Sequence, residues 1–112
     1  MSDKLIFVVD DNPDQAYLIT VVLRRNDYHN VSSFLSASEA LLSSEKPDLF
    51  ITDYNMPNMN GGELVRILKE RGPLPIIMIS ADYQSAAYGF DAFLKKPYNI
   101  NELLNLVHRF LD

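Results

Sequence analysis

The stretch Leu49-Phe50-Ile51-Thr52-Asp53-Tyr54-Asn55-Met56-Pro57 decides the fold of this chain. It reads as a short apolar strand that ends on a carboxylate, Asp53, and runs at once into a turn rich in Asn, Pro and Gly. A continuous apolar run bounded by turn residues is typical of a parallel strand buried on both faces. Strand packing gives no reason for an aspartate at the end of such a run. Because ligands of open α/β sheets bind just outside the carboxyl ends of the strands, Asp53 predicts a site there.

The rest of the chain alternates short apolar runs with amphipathic stretches. Strands are predicted over residues 4–9, 31–35, 49–53, 75–80 and 92–95. Helices are predicted after Asn12-Pro13, after Ser36, over residues 63–71 behind a Gly61-Gly62 turn, and after Asn99. Residues 82–91 are weakly patterned and leave room only for a short fourth helix that ends at Gly89. This alternation predicts an α/β fold with a doubly wound parallel sheet and right-handed crossovers.

Length and composition narrow the class of protein. The 112 residues suffice for one domain with a real core and are too few for two. The net charge of −5 disfavours nucleic acid or an anionic membrane as a partner of this domain. The absence of cysteine excludes a disulfide framework and a thiolate zinc site. With no signal-peptide pattern and no apolar run of membrane-spanning length, a cytoplasmic location is expected.

Polar side chains are expected to converge at one edge of the predicted sheet, where the carboxyl ends of parallel strands meet. The residues at this edge are Asp10, Asp11, Asp53, Ser80 and Lys96. Three neighbouring carboxylates repel one another unless a cation lies among them, and Mg²⁺ suits such oxygen ligands. A metal, an ammonium and a hydroxyl are what a phosphoryl group needs. The remaining carboxylate can act as a nucleophile and form an acyl phosphate.

Four blocks of the sequence resemble the receiver domains of two-component response regulators, including single-domain chemotaxis-type receivers. These blocks are Val8-Val9-Asp10-Asp11, Ile51-Thr52-Asp53-Tyr54-Asn55-Met56-Pro57, Met78-Ile79-Ser80-Ala81 and Phe93-Leu94-Lys95-Lys96-Pro97-Tyr98. The resemblance covers the whole chain, residues 1–112, as one receiver domain. It implies a flavodoxin-like (βα)5 fold with strand order 2-1-3-4-5. It also implies a histidine kinase or phosphotransfer protein as the phosphoryl donor.

The resemblance assigns roles to the acidic residues of the predicted site. Asp53 matches the phosphoacceptor of the family. Asp11 matches the direct ligand of Mg²⁺ (or Mn²⁺), which Asp10 assists and Asp53 shares. Asn55 is expected to offer its backbone carbonyl to the same metal ion.

The resemblance also assigns roles on the last two strands. Ser80 matches the hydroxyl residue that moves toward the phosphoryl group, and Phe93 matches the aromatic residue that repacks with it. Lys96, rather than Lys95, matches the site lysine because it directly precedes Pro97. The bond between Lys96 and Pro97 is expected to be cis.

The sequence departs from the family between Ser80 and Lys96, which are 16 positions apart. This is shorter than receivers usually have, and the missing length is expected to fall on the fourth helix or its flanking loops, which predicts a shortened or irregular fourth helix. In the family, the face made by the fourth helix, the fifth strand and the fifth helix reads out activation and often dimerises. We therefore expect a remodelled output face, on a monomer or weak dimer. Tyr83, Tyr88 and Tyr98 are either a partner patch or half-buried aromatics.

The expected function is phosphorelay signalling, in which phosphorylation of Asp53 changes partner binding without turnover of a free substrate. The downstream partner is either a separate protein or a covalently linked effector domain. The alternative is a pseudo-receiver or scaffold that binds its partner without phosphorylation. A flavodoxin-like cofactor binder is disfavoured because the loop after the first strand is acidic rather than rich in glycine or hydroxyls. A small-molecule phosphatase is disfavoured because Asn55 stands where its second aspartate belongs.

Overall fold

The computed structural model describes residues 3–112 and contains a five-stranded sheet in which every pairing is parallel. The strands lie in the order β2-β1-β3-β4-β5. Their bounds are Ile6–Val9 for β1, Val31–Phe34 for β2, Leu49–Asp53 for β3, Ile76–Ser80 for β4 and Ala92–Lys95 for β5. The predicted strand order and direction are confirmed.

Four α-helices cover the two faces of the sheet. They are α1 (Pro13–Arg25), α2 (Ala37–Leu42), α3 (Gly61–Arg71) and α4 (Ile100–Leu111). Alternate residues of β1 show the two layers, because Ile6 and Val8 pack with α1 and α4, whereas Phe7 and Val9 pack with α2 and α3. Since both faces are covered, β1 and β3 are buried along their whole length. In the described part of the chain, no helix is long and apolar enough to cross a membrane.

The first strand is shorter than predicted because the backbone of Leu5, near its predicted beginning, bonds to Asp48. The N–H of Leu5 donates to the carboxylate of Asp48 at 2.8 Å, and the carbonyl of Leu5 accepts the N–H of Asp48 at 2.7 Å. These two bonds tie the approach to β1 to the approach to β3. The ladder therefore begins at Ile6 rather than at Lys4.

The predicted turn at Gly61-Gly62 is wrong, because both glycines belong to the first turn of α3. Asn60 caps this helix: its side chain accepts the N–H of Glu63, whose carboxylate accepts the N–H of Asn60 in return. A Cβ on Gly61 would lie 2.4 Å from the backbone oxygen of Asp53. Glycine is thus required by the close approach of α3 to the end of β3, and not by a turn.

The segment between β4 and β5 contains a 3₁₀ turn where the shortened spacing predicts a short or irregular fourth helix. Its regular structure is a single 3₁₀ turn, Ala86–Tyr88, which ends at Gly89 in the left-handed region with φ of 104°. The carboxylate of Asp91 then accepts the N–H of Ile76 at 2.8 Å and pairs with Lys69 at 2.6 Å. The expectation of a shortened fourth helix is confirmed, and α4 is the helix that the family counts as its fifth.

Candidate functional site

The edge of the sheet formed by the carboxyl ends of the strands gathers the acidic side chains that the sequence singles out. Asp10 follows β1 directly, and Asp53 is the last residue of β3. One carboxylate oxygen from each of Asp10, Asp11 and Asp53 lies within 4.8 Å of the others. The site therefore contains an acidic cluster of three side chains, two of them buried and Asp11 exposed.

Asp10 is held in place by its neighbours along the chain. Its carboxylate accepts the N–H of Asn12 at 3.0 Å, and Asn12 in turn caps α1. Burial raises the pKa of Asp10, the bond from Asn12 opposes this effect, and the negative charge of Asp53 adds to it. Asp10 thus accepts a backbone hydrogen bond from the loop before α1 and belongs to the acidic cluster, in surroundings that raise its own pKa.

Lys96 supplies the positive charge that faces this cluster. Its Nζ lies 2.9 Å from Oδ1 of Asp53, a carboxylate that is only 6% exposed. The N–H of Lys96 donates to the carbonyl of Ser80 at 2.8 Å, and the bond to Pro97 is cis, as expected. The contact between Nζ and Oδ1 does not have the angles of a hydrogen bond. Within residues 3–112, Oδ1 accepts no hydrogen bond. A buried oxygen in this state has capacity for a cation.

Ser80 closes β4 and is fully buried. Its Oγ accepts the N–H of Asp82 at 3.2 Å, which leaves the hydroxyl hydrogen available to a further acceptor. In the sheet register Asp53 pairs with Ile79, so Ser80 lies at the next position along the neighbouring strand. The predicted phosphoacceptor and the predicted hydroxyl residue are therefore neighbours at one edge.

Phe93 and Asn55 lie at the periphery of this edge. The Phe93 ring is half-buried on β5 and stacks on the ring of Tyr83 with centroids 5.5 Å apart. Asn55 is exposed in the turn two residues after Asp53. The movement of Phe93 and the metal contact of Asn55 stay predictions.

A groove beside the site was not identified from the sequence, and Tyr98, predicted as part of a partner patch or as a half-buried aromatic, lines it. The groove has a volume of about 660 Å³ and runs between α1 and the loop that leads into α4. Its lining includes Lys96, Leu18, Ile19, Val22, Tyr98, Ile100 and Leu103. Burial, followed by the charges of Asp10 and Asp53, raises the pKa of Tyr98. The groove thus opens beside the acidic cluster, and two of its apolar residues, Leu18 and Ile100, are 47% and 44% exposed.

The acidic cluster predicts a specific stability change in the absence of divalent cations. We expect Asp10→Asn to raise the free energy of unfolding at pH 7 by roughly 1–2 kcal/mol. The substitution removes the desolvation of a buried carboxylate and its repulsion by Asp53, and the expected gain is a discounted share of the ~4 kcal/mol repulsion between two like charges about 4 Å apart near a surface. The amide oxygen still accepts the N–H of Asn12. Urea denaturation in a chelating buffer measures the change.

The increase in the free energy of unfolding caused by Asp10→Asn should depend on pH, in a direction that follows from the raised pKa of Asp10. The folded wild-type chain holds this proton more tightly than the unfolded chain. The resulting stabilisation is present below the ordinary pKa of 3.8 and is lost as the pH rises through the folded value. The advantage of Asp10→Asn should therefore shrink as the pH falls toward 4. Asp14→Asn, an exposed control, should change stability by less than about 0.5 kcal/mol. An Asp10→Asn variant less stable than wild type at pH 7 would contradict the account.

Comparison with known proteins identifies the family. The family model described as the response regulator receiver domain matches residues 6–108. The chain is 33% identical to the DNA-binding transcriptional regulator NtrC of Proteus hauseri over 93% of its own length and 24% of that protein. It is 32% identical to the DNA-binding response regulator MtrA of Mycolicibacterium smegmatis over 88% of the chain and 46% of the relative. The chain thus spans 24% and 46% of the lengths of these two curated relatives.

Solved structures give the same result over nearly full lengths. A CheY-like receiver domain protein from Methanospirillum hungatei superposes with a TM-score of 0.91 and 28% identity, covering 99% of this chain and 95% of that one. The response regulator TrrA of Thermotoga maritima, in complex with Mg²⁺-BeF, gives 0.89 and 28% identity over 96% and 99%. The chain therefore belongs to the family of response regulator receiver domains of two-component signalling systems.

Proposed function

We propose that this chain accepts a phosphoryl group on Asp53 from a phosphohistidine, with a divalent cation bound by the acidic cluster. The observation that carries the proposal is the buried Asp53 carboxylate, paired with Lys96 at 2.9 Å inside a cluster of three acids. Such a cluster stores repulsion that a cation relieves. The site is therefore built for cation-dependent chemistry on a carboxylate, rather than for stability.

The transfer forms one bond and breaks one bond. A carboxylate oxygen of Asp53 attacks the phosphorus, and the bond from phosphorus to the imidazole nitrogen of the donor breaks with its electron pair on that nitrogen. Lys96 neutralises negative charge on the phosphoryl oxygens, and Ser80 donates its free hydroxyl hydrogen to one of them. The product is an aspartyl phosphate. The chain assists its own modification and is not a classical enzyme.

The donor set fits Mg²⁺ or Mn²⁺, which prefer carboxylate, carbonyl and water oxygens. Asp11 is exposed and offers direct coordination, whereas Asp10 is held by Asn12 and supports it. Asp53 and the backbone carbonyl of Asn55 would complete the protein ligands. When bound, the cation neutralises the carboxylates and the incoming phosphoryl oxygens.

Phosphorylation is proposed to act on partners through Ser80 and Phe93. The modification adds roughly 1.5–2 negative charges to the edge of the sheet. Ser80, on the strand next to Asp53, is placed to respond to this charge. Phe93 lies on the following strand opposite Met78, so its packing with Tyr83 is the nearest aromatic contact that such a response would alter. The altered partner is a separate protein or a linked effector domain.

A scaffold without phosphorylation is the second candidate, and the missing α-helix between β4 and β5 is the observation in its favour. A scaffold, however, has no use for three clustered carboxylates whose mutual repulsion destabilises the fold. The Lys96–Asp53 pair is likewise unnecessary for docking a partner. We therefore retain phosphorylation as the function and treat the scaffold as the outcome of a failed test.

Intact mass after incubation with acetyl phosphate and Mg²⁺ tests the proposed chemistry. We expect one added phosphoryl group on the wild-type chain, none on Asp53→Asn, and a wild-type result for the exposed control Asp14→Asn. Lys96→Ala should slow the reaction by about 10²-fold, the effect of removing one charge-stabilising donor. Its neighbour Lys95→Ala should not. An unmodified wild-type chain, or an adduct that persists in Asp53→Asn, would exclude Asp53 as the phosphoacceptor.

The groove beside the site is the proposed docking surface for the protein donor. A phosphohistidine must come within bonding distance of Asp53, so its carrier has to rest against the rim of the site. The groove lies on that rim, shares Lys96 with the site, and exposes the apolar side chains of Leu18 and Ile100. Exposed apolar anchors of this kind carry much of the binding energy of interfaces.

Substitutions in the groove should separate docking from chemistry. With a histidine kinase that phosphorylates the wild-type chain, Leu18→Asp and Ile100→Asp should each lower the transfer rate about tenfold, equivalent to ~1.4 kcal/mol of binding. With acetyl phosphate, which needs no docking surface, both should stay within about twofold of wild type. Leu42→Asp, 85% exposed on α2, is the matched control and should behave as wild type. Equal losses with both donors would refute the docking role.

A further inference from the structure

Tyr88 occupies a slot on α3 that only a glycine leaves open. A Cβ on Gly62 would lie 2.5 to 2.7 Å from three ring atoms of Tyr88, so the ring lies directly against the backbone of the helix. The guanidinium of Arg66, one turn further along α3, lies 5.0 Å from the centre of the same ring. The 3₁₀ turn that carries Tyr88 is thus docked onto the first two turns of α3.

Tyr88 also reaches the residue next to the phosphoacceptor. Its hydroxyl lies 3.3 Å from the hydroxyl of Tyr54, and this bond raises the pKa of Tyr54. The N–H of Tyr54 donates to the carbonyl of Ile79 at 2.9 Å, and its carbonyl accepts the N–H of Gly61 at 2.8 Å. Tyr88 is therefore connected to the ends of β3 and β4 and to the start of α3.

The segment between β4 and β5 contacts the Ser80 hydroxyl at its beginning, at Asp82. The N–H of Asp82 donates to Oγ of Ser80, so the position of the backbone at residue 82 decides whether that bond exists. An α-helix would normally brace this backbone, and here there is a three-residue turn instead. Side chains anchor this backbone instead: Tyr83, next to Asp82, stacks on Phe93, and Tyr88 is seated on both α3 and Tyr54.

We propose that Tyr88 is a positioning residue for phosphorylation: seated over Gly62 and bonded to Tyr54, it holds residues 81–91 so that the bond from the Asp82 N–H orients the Ser80 hydroxyl toward a phosphoryl oxygen. The inference rests on the proposed function and deepens it, because it names what replaces the missing helix. Tyr88 touches neither the donor nor the phosphoryl group. It acts through Ser80.

The first test compares substitutions of Tyr88 in the reaction with acetyl phosphate and Mg²⁺. We expect Tyr88→Ala to lower the rate at saturating acetyl phosphate roughly three- to tenfold, the worth of one hydrogen bond. The half-saturating concentration should not change, because Lys96 and the cation govern binding. Tyr88→Phe still fills the slot and loses only the 3.3 Å bond to Tyr54, so it should recover most of the lost rate, to within about twofold of wild type. Tyr17→Ala, 71% exposed on α1, is the control and should match wild type.

A double-mutant cycle shows whether Tyr88 acts through Ser80. Tyr88→Ala should slow the wild-type chain but leave the rate of Ser80→Ala unchanged, because the hydroxyl that it positions is already absent. A purely structural role would lower the Tm in both backgrounds and affect the rate in neither. Equal slowing in both backgrounds would mean that Tyr88 acts elsewhere, and would overturn the inference.

Gly62→Ala tests the seating itself. Beside Tyr88 the new methyl group should displace the ring, lower the Tm and slow phosphorylation as Tyr88→Ala does. In the Tyr88→Ala background the slot is empty, so the same substitution should raise the Tm because alanine favours a helix over glycine. A change of the same sign in both backgrounds would show that the ring does not occupy the slot.

The outcomes separate this inference from the function on which it rests. A wild-type chain that takes up no phosphoryl group contradicts the proposed function, and the role of Tyr88 falls with it. If the wild-type chain and Tyr88→Ala are phosphorylated at the same rate, the inference about Tyr88 is overturned and the proposed function is not. Loss in Tyr88→Ala, recovery in Tyr88→Phe and no further loss beside Ser80→Ala support it.

Discussion

The structure depends on one electrostatic constraint, which is that three carboxylates share an edge of the sheet with a single facing ammonium. Asp10 and Asp53 are buried there, and burial raises the pKa of Asp10 above its ordinary value. The ion pair between Lys96 and Asp53 opposes the repulsion among the three carboxylates. A site of this kind destabilises the folded chain, because charges that would be well solvated in water are held close together in a partly buried pocket.

The rest of the fold holds these charges in place. β1 and β3 are covered on both faces, so the side chains at their carboxyl ends are attached to well-packed strands of the core. Gly61 lets α3 begin against the backbone of Asp53, and the backbone of Lys96 is bonded to the end of β4. Each charged group is thus fixed from a different element. Such fixed geometry is what the proposed phosphoryl transfer to Asp53 would need.

Much of this could be predicted from the sequence, because strongly patterned segments carry their own signals. The apolar run before Asp53, the Pro13 start of α1 and the short spacing from Ser80 to Lys96 each indicated the structure that was found. The glycines before α3 could not be interpreted in this way. Gly61 and Gly62 are required by tertiary contacts with Asp53 and Tyr88, and a local turn signal looks the same in the sequence. The groove beside Lys96 was missed for the same reason, since its walls come from distant segments.

The central claim is that the acidic cluster is a cation site, and calorimetric titration with Mg²⁺ tests it most directly. The account predicts one Mg²⁺ per chain, bound at least about tenfold more weakly by Asp11→Asn, which removes the proposed direct ligand. An exposed aspartate outside the cluster provides the control, and Asp48→Asn should bind as wild type does. Binding that is absent from the wild-type chain, or equal in Asp11→Asn and wild type, would contradict the account.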